Sequence, residues 1–360
     1  MARVTVSVPG KLILMGEHAV VYGRPALVAA LDRRLTVRVA LRADGAVHLD
    51  LPGLGHAEET SWEALRAYAH SVRESWRAYS RQPAPESFRA VQREDPAHVV
   101  RVALGEASGD DDLRHLPGLS LRVESELPIG SGFGSSAATA VAVIAGALAL
   151  RGVPLDPRQI EQLALEVERR QHGLPSGVDS AAVLFGGLLW ARKLAAGGLE
   201  TERLAVGSPL LQRLRVYDTG TPAESTGAVV AAVRARRDRD PAAHERLLDR
   251  IETATRGFRA QLEQPVEDAA VIVDLIRECH ACLQALGVVP EEVSALIRRV
   301  EAEGGAGKLS GAGSLSGPGA GCVLVYHPDT ARIAAWPFLQ SLTFHAVHLG
   351  ADGLRRETDA

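Results

Sequence analysis

The alternation of apolar and polar positions predicts a β-sheet in the first 50 residues of the chain. The segments RVTVSV, PALVAAL, RLTVRVALR and AVHLDL are separated by Gly, Pro and Asp-Gly, which favour turns. From about Ser61 to Tyr79, and again from Pro96 to Gly105, the apolar residues recur with a helical period instead. The pattern therefore predicts strands first and helices after them.

Strands and helices also mix in the rest of the chain. A long apolar helix is predicted after the glycines near residue 130, and DPRQIEQLALEVERRQHG predicts another, with Asp156 as N-cap, Pro157 in the first turn and Gly173 at the end. GGLLWARK, RLRVYDTG, GCVLVY and LTFHAVHL resemble strands. Four more helices are predicted, near 224–236, 241–261, 266–286 and 290–303. Because strands and helices do not alternate strictly, the pattern favours an α+β fold over a doubly wound parallel sheet.

The length of the chain, 360 residues, is enough for two domains with separate cores. The loosest polar and glycine-rich stretch is LAAGGLETERLAVGSP, near residues 195–210. We therefore expect one domain over residues 1–200 and a second over residues 201–360.

Charge and composition exclude several classes of protein. The formal net charge is −4, and no basic cluster with interleaved aromatic residues is present, so nucleic acid is not an expected partner. The longest apolar run, Ala137 to Leu150, is shorter than the roughly 18 to 20 residues that span a bilayer. The N-terminal stretch reaches Lys11 before any run long enough for a secretion signal, and three cysteines make no disulfide framework. We expect a soluble cytoplasmic protein that does not bind membranes.

A glycine-rich loop precedes the long apolar helix. Gly130, Gly132 and Gly134 lie between the strand-like LSLRVESELP and the two serines that open the helix. Free N–H groups at a helix N-terminus, with glycines beside them, form an anion site. The loop has neither the lysine of a Walker A motif nor the GxGxxG spacing of a dinucleotide site. From the residues alone it is either a phosphate loop or a tight turn between strand and helix.

Charged residues interrupt two other apolar segments. Lys11, Glu17 and His18 lie in PGKLILMGEHAVVYG, which a strand pair with a polar turn would also explain. In EVERRQHGLPSGVDSA, Glu168 lies at the edge of an apolar helix face and Asp179 follows eleven residues later. Two such carboxylates suit different tasks, one as a ligand of Mg²⁺ and the other as a base for a substrate hydroxyl.

A second glycine-rich loop, GKLSGAGSLSGPGAG, runs into the apolar strand CVLVY. Alone it indicates a flexible hairpin, but two such loops in one chain favour a polyphosphate pocket. By contrast, ECHACLQALG carries Cys279, His280 and Cys282 on a periodic helix, and no second pair of ligands accompanies them. Core positions explain these cysteines better than a zinc site does.

With these clusters in this order, the chain resembles the family of small-molecule kinases that includes galactokinase, homoserine kinase, mevalonate kinase and phosphomevalonate kinase. LPIGSGFGSSAA is similar to the family's phosphate loop, with Phe133 where leucine is usual. PGKLILMGEHAVVYG, and the run HGLPSGVD with its upstream Glu, are most similar to the mevalonate kinases within the family. The second glycine-rich loop corresponds to the third motif of the family. It departs from the family pattern, because LSGAGS is followed by a near-duplicate, LSGPGA.

The resemblance implies a two-domain α+β fold, with an N-terminal domain like ribosomal protein S5, a ferredoxin-like C-terminal domain and the site between them. It implies an ATP- and Mg²⁺-dependent kinase that phosphorylates the 5-hydroxyl of mevalonate, giving 5-phosphomevalonate for isoprenoid synthesis. Two alternatives stay open: the same chemistry on phosphomevalonate or a sugar, and a non-catalytic ligand sensor on the same fold. A phosphorylated substrate would call for extra Lys or Arg, and HGLPSGVDSA has none. The oligomeric state, a homodimer included, also stays open.

The resemblance assigns the ATP phosphates to the first glycine loop, where backbone N–H groups and the helix dipole replace a loop lysine. The residues concerned are Gly130, Ser131, Gly132, Phe133, Gly134, Ser135, Ser136 and Ala137. In the third motif, Gly311 and Gly319 have a supporting role. The copy nearer the strand, Ser316 to Gly321, is expected beside the phosphates because the strand at Cys322 fixes its position.

The resemblance also implies the catalytic residues. Ser136 and Glu168 would hold Mg²⁺ between the β- and γ-phosphates, and Asp179 would orient the substrate hydroxyl and accept its proton. Lys11 would lie beside Asp179 and meet the charge that develops during transfer. Three further residues would line the substrate pocket or support Glu168: Glu17, His18 and Thr226.

Overall fold

The computed structural model describes residues 2–82, 88–109, 116–128 and 130–358, so that Ile129 of the phosphate-loop motif lies outside the described residues. The described strands form two sheets. They are β1 (Arg3–Met15), β2 (Pro25–Arg42), β3 (Val47–Leu51), β4 (His56–Thr60), β5 (Gly118–Ser125), β6 (Leu188–Lys193), β7 (Leu199–Leu204), β8 (Arg215–Asp218), β9 (Ala306–Leu309), β10 (Cys322–Tyr326), β11 (Thr343–His345) and β12 (Arg355–Glu357).

The described α-helices pack against these two sheets and against one another. They are α1 (Trp62–Arg81), α2 (His98–Ser108), α3 (Ser135–Leu150), α4 (Pro157–His172), α5 (Val178–Phe185), α6 (Leu210–Arg213), α7 (Thr226–Arg239), α8 (Pro241–Glu263), α9 (Ala269–Ala285), α10 (Glu291–Ala302) and α11 (Thr330–Ala335). None of the helices in the described ranges is long and apolar enough to cross a membrane.

The first sheet has the order β12-β1-β2-β5-β3-β4, and the hairpin β6-β7 pairs with the N-terminal half of β2. Its pairs are antiparallel except β3 with β5. PALVAAL and RLTVRVALR, predicted as two strands, form the single strand β2. The polar residues between them, Asp32 and Arg33, lie at a shift in the register between β1 and β2, so they mark a bulge and not a turn.

The second sheet has the order β11-β8-β10-β9 and is antiparallel throughout. The four helices predicted after residue 220 are confirmed as α7 to α10. Three of them begin at a capping side chain, since Ser225, Asp240 and Asp268 each accept a hydrogen bond from an N–H of the first turn. The predicted signals of α4 are also confirmed: Asp156 caps it, and Gly173 ends it with a φ of 79°. Mixed helices with mainly antiparallel sheets confirm the α+β fold.

Four strands were missed in the sequence. β4 follows β3 directly and pairs with it. β7 lies in the stretch expected to be the loosest of the chain, and it forms a hairpin with β6. β9 lies at the start of the second glycine loop, where it pairs with β10. β12 returns from the C-terminus to the edge of the first sheet, where it pairs with β1. Only the pairing of β12 with β1 depends on a distant partner. β4, β7 and β9 pair with neighbouring strands, but their segments HAEET, LETERL and AGKL contain few of the β-branched and aromatic residues that indicate a strand.

The fold brings the glycine loops together between the two sheets. Helix α3 is buried over most of its surface, which explains an apolar sequence without a polar face. The Cys322 N–H, at the start of β10, donates to Ser131 O at 3.2 Å, and Ser310 Oγ, after β9, donates to Ile13 O at 2.9 Å. The N-terminus of α3 therefore lies against the second sheet.

Candidate functional site

A cleft of about 640 Å³ lies where the two sheets meet. Most of the residues singled out in the sequence line it: Lys11, Glu17, His18, Gly130, Gly132, Phe133, Gly134, Ser135, Ser136, Glu168, Asp179, Thr226 and Gly311. Among the described residues, Ser131, Ala137 and Gly319 lie outside the cleft lining. A wider groove of about 1170 Å³ lies on the polar outer face of the first sheet. Its charges pair with one another, as in Arg122 with Asp50, so we place the site in the cleft.

The phosphate loop takes a conformation that only glycine adopts readily. Gly130, Gly132 and Gly134 have φ angles of 79°, 84° and 75°. Gly134 is the N-cap of α3 and gives no side-chain cap, so the first N–H groups of the helix are free to bind an anion. Ser131 Oγ donates to Asp218 Oδ2 at 2.6 Å, which ties the loop to β8. The loop is thus preformed and held from the second sheet.

Lys11 lies directly against the phosphate loop. Its backbone N–H donates to Phe133 O at 2.9 Å, and its side chain passes beneath Gly134. A Cβ at Gly134 would lie 2.7 Å from Lys11 Cγ, closer than van der Waals contact allows. Strand β1 therefore supplies the cation that the loop itself lacks.

Lys11 also forms an ion pair with Asp179. Its Nζ lies 3.0 Å from Asp179 Oδ2, and the two side chains are 4 % and 32 % exposed. Asp179 is in the first turn of α5, after Gly177, whose φ of 83° makes the turn into the helix. The helix N-terminus favours a carboxylate at this position. The pair combines a buried cation with a carboxylate that remains accessible from the cleft.

Glu168 is a buried carboxylate beside this pair. Its Oε1 accepts hydrogen bonds from the N–H of Ser180, at 2.8 Å, and from the Ser180 hydroxyl. Burial, and then the negative charge of Asp179, raise the pKa of Glu168 to about 7, although the Ser180 bonds and Lys11 act in the opposite direction. Lys11 can compensate the charge of only one of the two carboxylates, Glu168 and Asp179. A further cation bound beside them would therefore stabilise the ionised form of both.

Ser136 and His172 lie next to Glu168. Ser136, in the first turn of α3, has its Oγ 3.3 Å from His172 Nε2. Burial lowers the pKa of His172 to about 4, so the ring is neutral at neutral pH. The described residues contain no cluster of three or more His, Cys, Asp or Glu side chains that could hold a metal ion. A divalent cation here would need oxygens of a ligand as well as those of the protein.

Glu17 forms a buried ion pair that the sequence did not predict. Its Oε1 accepts a hydrogen bond from Lys308 Nζ, on β9. Burial raises the pKa of Glu17, and Lys308 opposes this effect. Lys308 stands in the GKLSGAG segment, and the only sequence signal was a lysine between a glycine and a leucine at the start of a predicted loop. Its partner is 291 residues away, which no local pattern reveals.

His18 is held in an unusual backbone conformation. Its φ of 59° is the only positive value among the non-glycine residues that the structure describes. Its ring Nε2 lies 2.9 Å from Ala312 O, and burial lowers the pKa of the ring to about 4. His18 is therefore a neutral side chain that connects the segment PGKLILMGEHAVVYG to the second glycine-rich loop.

The two copies in the third motif, LSGAGS and LSGPGA, contact different parts of the protein. Gly311 and Ala312, in the first copy, line the cleft, whereas the second copy was expected there. Where the two copies join, Ser314 to Ser316 enclose Glu224: Ser314 Oγ and the Leu315 N–H donate to its Oε2 at 2.6 and 2.8 Å. The second copy ends beneath the phosphate loop, where a Cβ at Gly321 would lie 3.3 Å from Ser131 O.

Gly319 and Thr226 were expected to support the site. Gly319 packs against Gly220 O. Thr226 begins α7 at the cleft edge, and within the described residues it makes no hydrogen bond to Glu168.

Cys279 and Cys282 are buried on α9, which confirms their prediction as core residues.

Comparison with known proteins adds three findings. Residues 97–187 match the family model described as GHMP kinases N terminal domain. The mevalonate kinase of Archaeoglobus fulgidus is 34% identical over 318 residues, which cover 88% of this chain and 90% of that protein. The mevalonate kinase of Homo sapiens is 32% identical over 347 residues, with 88% and 84% covered.

Several solved structures have the same fold over nearly the whole chain. The L. major mevalonate kinase in complex with R-mevalonate aligns with a TM-score of 0.67 at 22% identity, covering 98% of this chain and 97% of that one. At this identity the likeness establishes the two-domain architecture, and the substrate has to be argued from the site.

Proposed function

The chain belongs to the mevalonate kinases of the GHMP kinase family, and from this premise we propose that it transfers the γ-phosphoryl group of ATP to the 5-hydroxyl of mevalonate. The product would be 5-phosphomevalonate, which is used for isoprenoid synthesis. The observation that carries the proposal is the Lys11–Asp179 pair, 3.0 Å apart in a cleft that also contains the phosphate loop. A base, a cation and an anion site in one cleft are what phosphoryl transfer requires.

We assign the chemical steps to these residues. The free N–H groups at the start of α3 bind the phosphates. Asp179 orients the 5-hydroxyl and accepts its proton as the new P–O bond forms, while the bond between the γ-phosphorus and the bridging oxygen breaks and ADP leaves. Lys11, between the loop and Asp179, neutralises the charge that develops on the phosphoryl oxygens. The protein thus contributes position and charge, which account for most of the catalysis in this class of reaction.

We propose Ser136 and Glu168 as the protein ligands of Mg²⁺. The donor set fits a hard cation, since both groups offer oxygen. Burial, and then the negative charge of Asp179, raise the pKa of Glu168, and a bound cation would offset both effects. Within the described residues, both hydrogen bonds that Glu168 accepts reach Oε1, so Oε2 is left for the ion. When bound, Mg²⁺ would neutralise charge on the phosphate oxygens.

We propose that a group of apolar side chains in the cleft lining holds the base of ATP. These side chains, which we call the apolar arm of the cleft, are Leu51, Leu54, Val99 and Val123. Such a surface favours a flat aromatic ring over a sugar or a carboxylate. We therefore place the nucleotide along this arm and the acceptor on the side of Glu17.

A lysine that the sequence did not reveal lies behind the cleft wall. Lys193 Nζ donates to Pro175 O, on the cleft wall, at 3.1 Å. Burial lowers the pKa of Lys193, and the positive charges of Arg169 and Arg234 add to this effect. None of these three cations is among the described residues that line the cleft, so they favour an anionic acceptor only from behind the wall and do not distinguish the acid group of mevalonate from a phosphate. Phosphomevalonate is therefore the rival substrate.

The domain division and cellular location are proposed on the same basis. Residues 1–200 contain most of the first sheet, and residues 201–360 contain the second, with the cleft between them. We propose a cytoplasmic location because the three cysteines are free thiols, as in reducing compartments.

Product analysis tests the proposed function. The protein is incubated with ATP, Mg²⁺ and mevalonate, and ³¹P NMR follows the products. We expect ADP and a phosphate monoester in equal amounts. ADP with inorganic phosphate, or no ADP, would refute the proposal, and the second result would favour the sensor.

A further inference from the structure

Lys308 is a fully buried lysine that the chemical steps do not use. It lies on β9 and binds Glu17 Oε1 and its neighbour's backbone oxygen, Leu309 O, the latter at 2.6 Å. A buried ion pair is weak as a source of stability, because an apolar pair of similar volume is often as stable or more so. Burying this pair therefore needs another explanation, and its place at the cleft offers one.

Glu17 has one oxygen without a partner. Its Oε2 is buried and has no hydrogen bond within the described part of the chain, although the residue lines the cleft. Buried carboxylate oxygens are almost always hydrogen-bonded. The missing donor is therefore expected to come from a molecule bound in the cleft.

We propose that Lys308 is a positioning residue for the acceptor: it holds the Glu17 carboxylate so that Oε2 accepts a hydrogen bond from the hydroxyl that is not phosphorylated. This inference rests on the proposed function, in which the acceptor is mevalonate. The 5-hydroxyl then faces Asp179, and the 3-hydroxyl is the donor to Glu17. Lys308 thereby makes recognition of the substrate depend on the second sheet.

The charges around Glu17 explain why the lysine is needed. Burial raises the pKa of Glu17, and the nearby cations Lys308 and Lys11 oppose this effect. The other titratable neighbours are neutral: burial raises the pKa of Cys279 to about 12 and lowers that of His280 to about 4, as it does for the adjacent His18. Without Lys308, Glu17 would take up a proton, and its geometry would no longer be fixed.

The test compares two acceptors in one assay. Mevalonate and 5-hydroxy-3-methylpentanoate, which lacks the 3-hydroxyl, are phosphorylated in parallel, and the ratio of their kcat/KM values is measured. A hydrogen bond to a charged acceptor predicts a ratio of roughly 10 to 150 for the wild type. For Glu17→Met/Lys308→Met the ratio should fall to within about threefold of unity. The double variant leaves an uncharged core and is therefore expected to fold.

Lys308→Met alone provides a second readout. In this variant Glu17 is buried without its cation. The ratio of the two kcat/KM values should therefore be low at neutral pH, and it should rise as the pH is increased and the Glu17 carboxyl ionises. The wild type and the double variant should show no such rise. Because Arg213→Met removes a cation 2.8 Å from the buried Glu267, outside the cleft, it serves as the matched control and should keep the wild-type ratio.

The outcomes separate this inference from the proposed function. A wild type that phosphorylates neither acceptor would overturn both. If the wild type phosphorylates mevalonate and the double variant keeps the wild-type ratio, the positioning role is wrong while the function stands. A ratio lowered equally by Arg213→Met would also overturn the role, because the effect would then be one of stability.

Discussion

Replacing Asp179 by Asn separates binding from catalysis in this site. The amide keeps the shape of the side chain but carries no charge and cannot accept the proton of the hydroxyl. Because Asp179 is 32 % exposed, the amide stays in contact with water and the fold should tolerate it. Lys11, buried beneath the phosphate loop, loses its partner at 3.0 Å.

The magnitude follows from the role of each group. General-base catalysis contributes roughly 10² to 10⁴-fold, and the misplaced Lys11 adds to the loss, so kcat should fall by about 10³-fold. Nucleotide binding should not weaken, because Asp179 is one cause of the raised pKa of Glu168. Without that negative charge Glu168 ionises more readily. KM for ATP and for mevalonate should therefore stay within several-fold of wild type.

The assay is ADP release coupled to a spectroscopic readout, with Asp156→Asn as the matched control. That change also converts an aspartate to an amide, but at the cap of α4, where Asn serves equally well. Lys11→Met should resemble Asp179→Asn, and the double variant should be far less impaired than the product of the two effects. Multiplicative losses would show that the two residues act independently. Near-normal turnover in Asp179→Asn would exclude Asp179 as the base.

Three other changes test the rest of the site. Glu168→Gln should lower kcat strongly and raise the Mg²⁺ requirement; in the wild type that requirement should fall as the pH rises through about 7, where Glu168 ionises, and a titration unaffected by the variant would remove Glu168 from the metal site. Gly134→Ala should lower kcat more than Gly130→Ala, because both have a positive φ but only the first would push a Cβ against Lys11; equal losses would mean that backbone strain alone matters. Deleting Ser314 to Gly319 should change KM for ATP by less than about threefold, since the first copy lines the cleft, and a tenfold rise, by the same reasoning, would assign the phosphates to the second copy.

Local signals were enough to predict much of the fold and part of the site. The cap and stop of α4 depend on residues next to the helix, and so they could be read directly from Asp156 and Gly173. The glycines of the phosphate loop similarly indicate their own positive φ angles. For Lys11 and Asp179 the spacing indicated chemistry, but only the resemblance paired them, and the structure shows the contact.

What the sequence did not reveal depends on distant partners. Lys308 is important because of Glu17, which is 291 residues earlier. Lys193 reaches the cleft wall because β6 pairs with β2 and turns its last residue toward Pro175. The sequence also could not show which copy of the glycine motif lies at the cleft, because Glu224, which binds the junction of the two copies, belongs to another part of the chain.

The most direct test of the central claim is substrate preference. With ATP and Mg²⁺ in excess, kcat/KM is measured by ADP release for mevalonate, phosphomevalonate, galactose and homoserine. The proposed site predicts that mevalonate is preferred over each of the others by at least about 100-fold, and that Asp179→Asn abolishes most of this turnover. A higher kcat/KM for phosphomevalonate or galactose, or no ADP release with any of the four, would contradict the assignment.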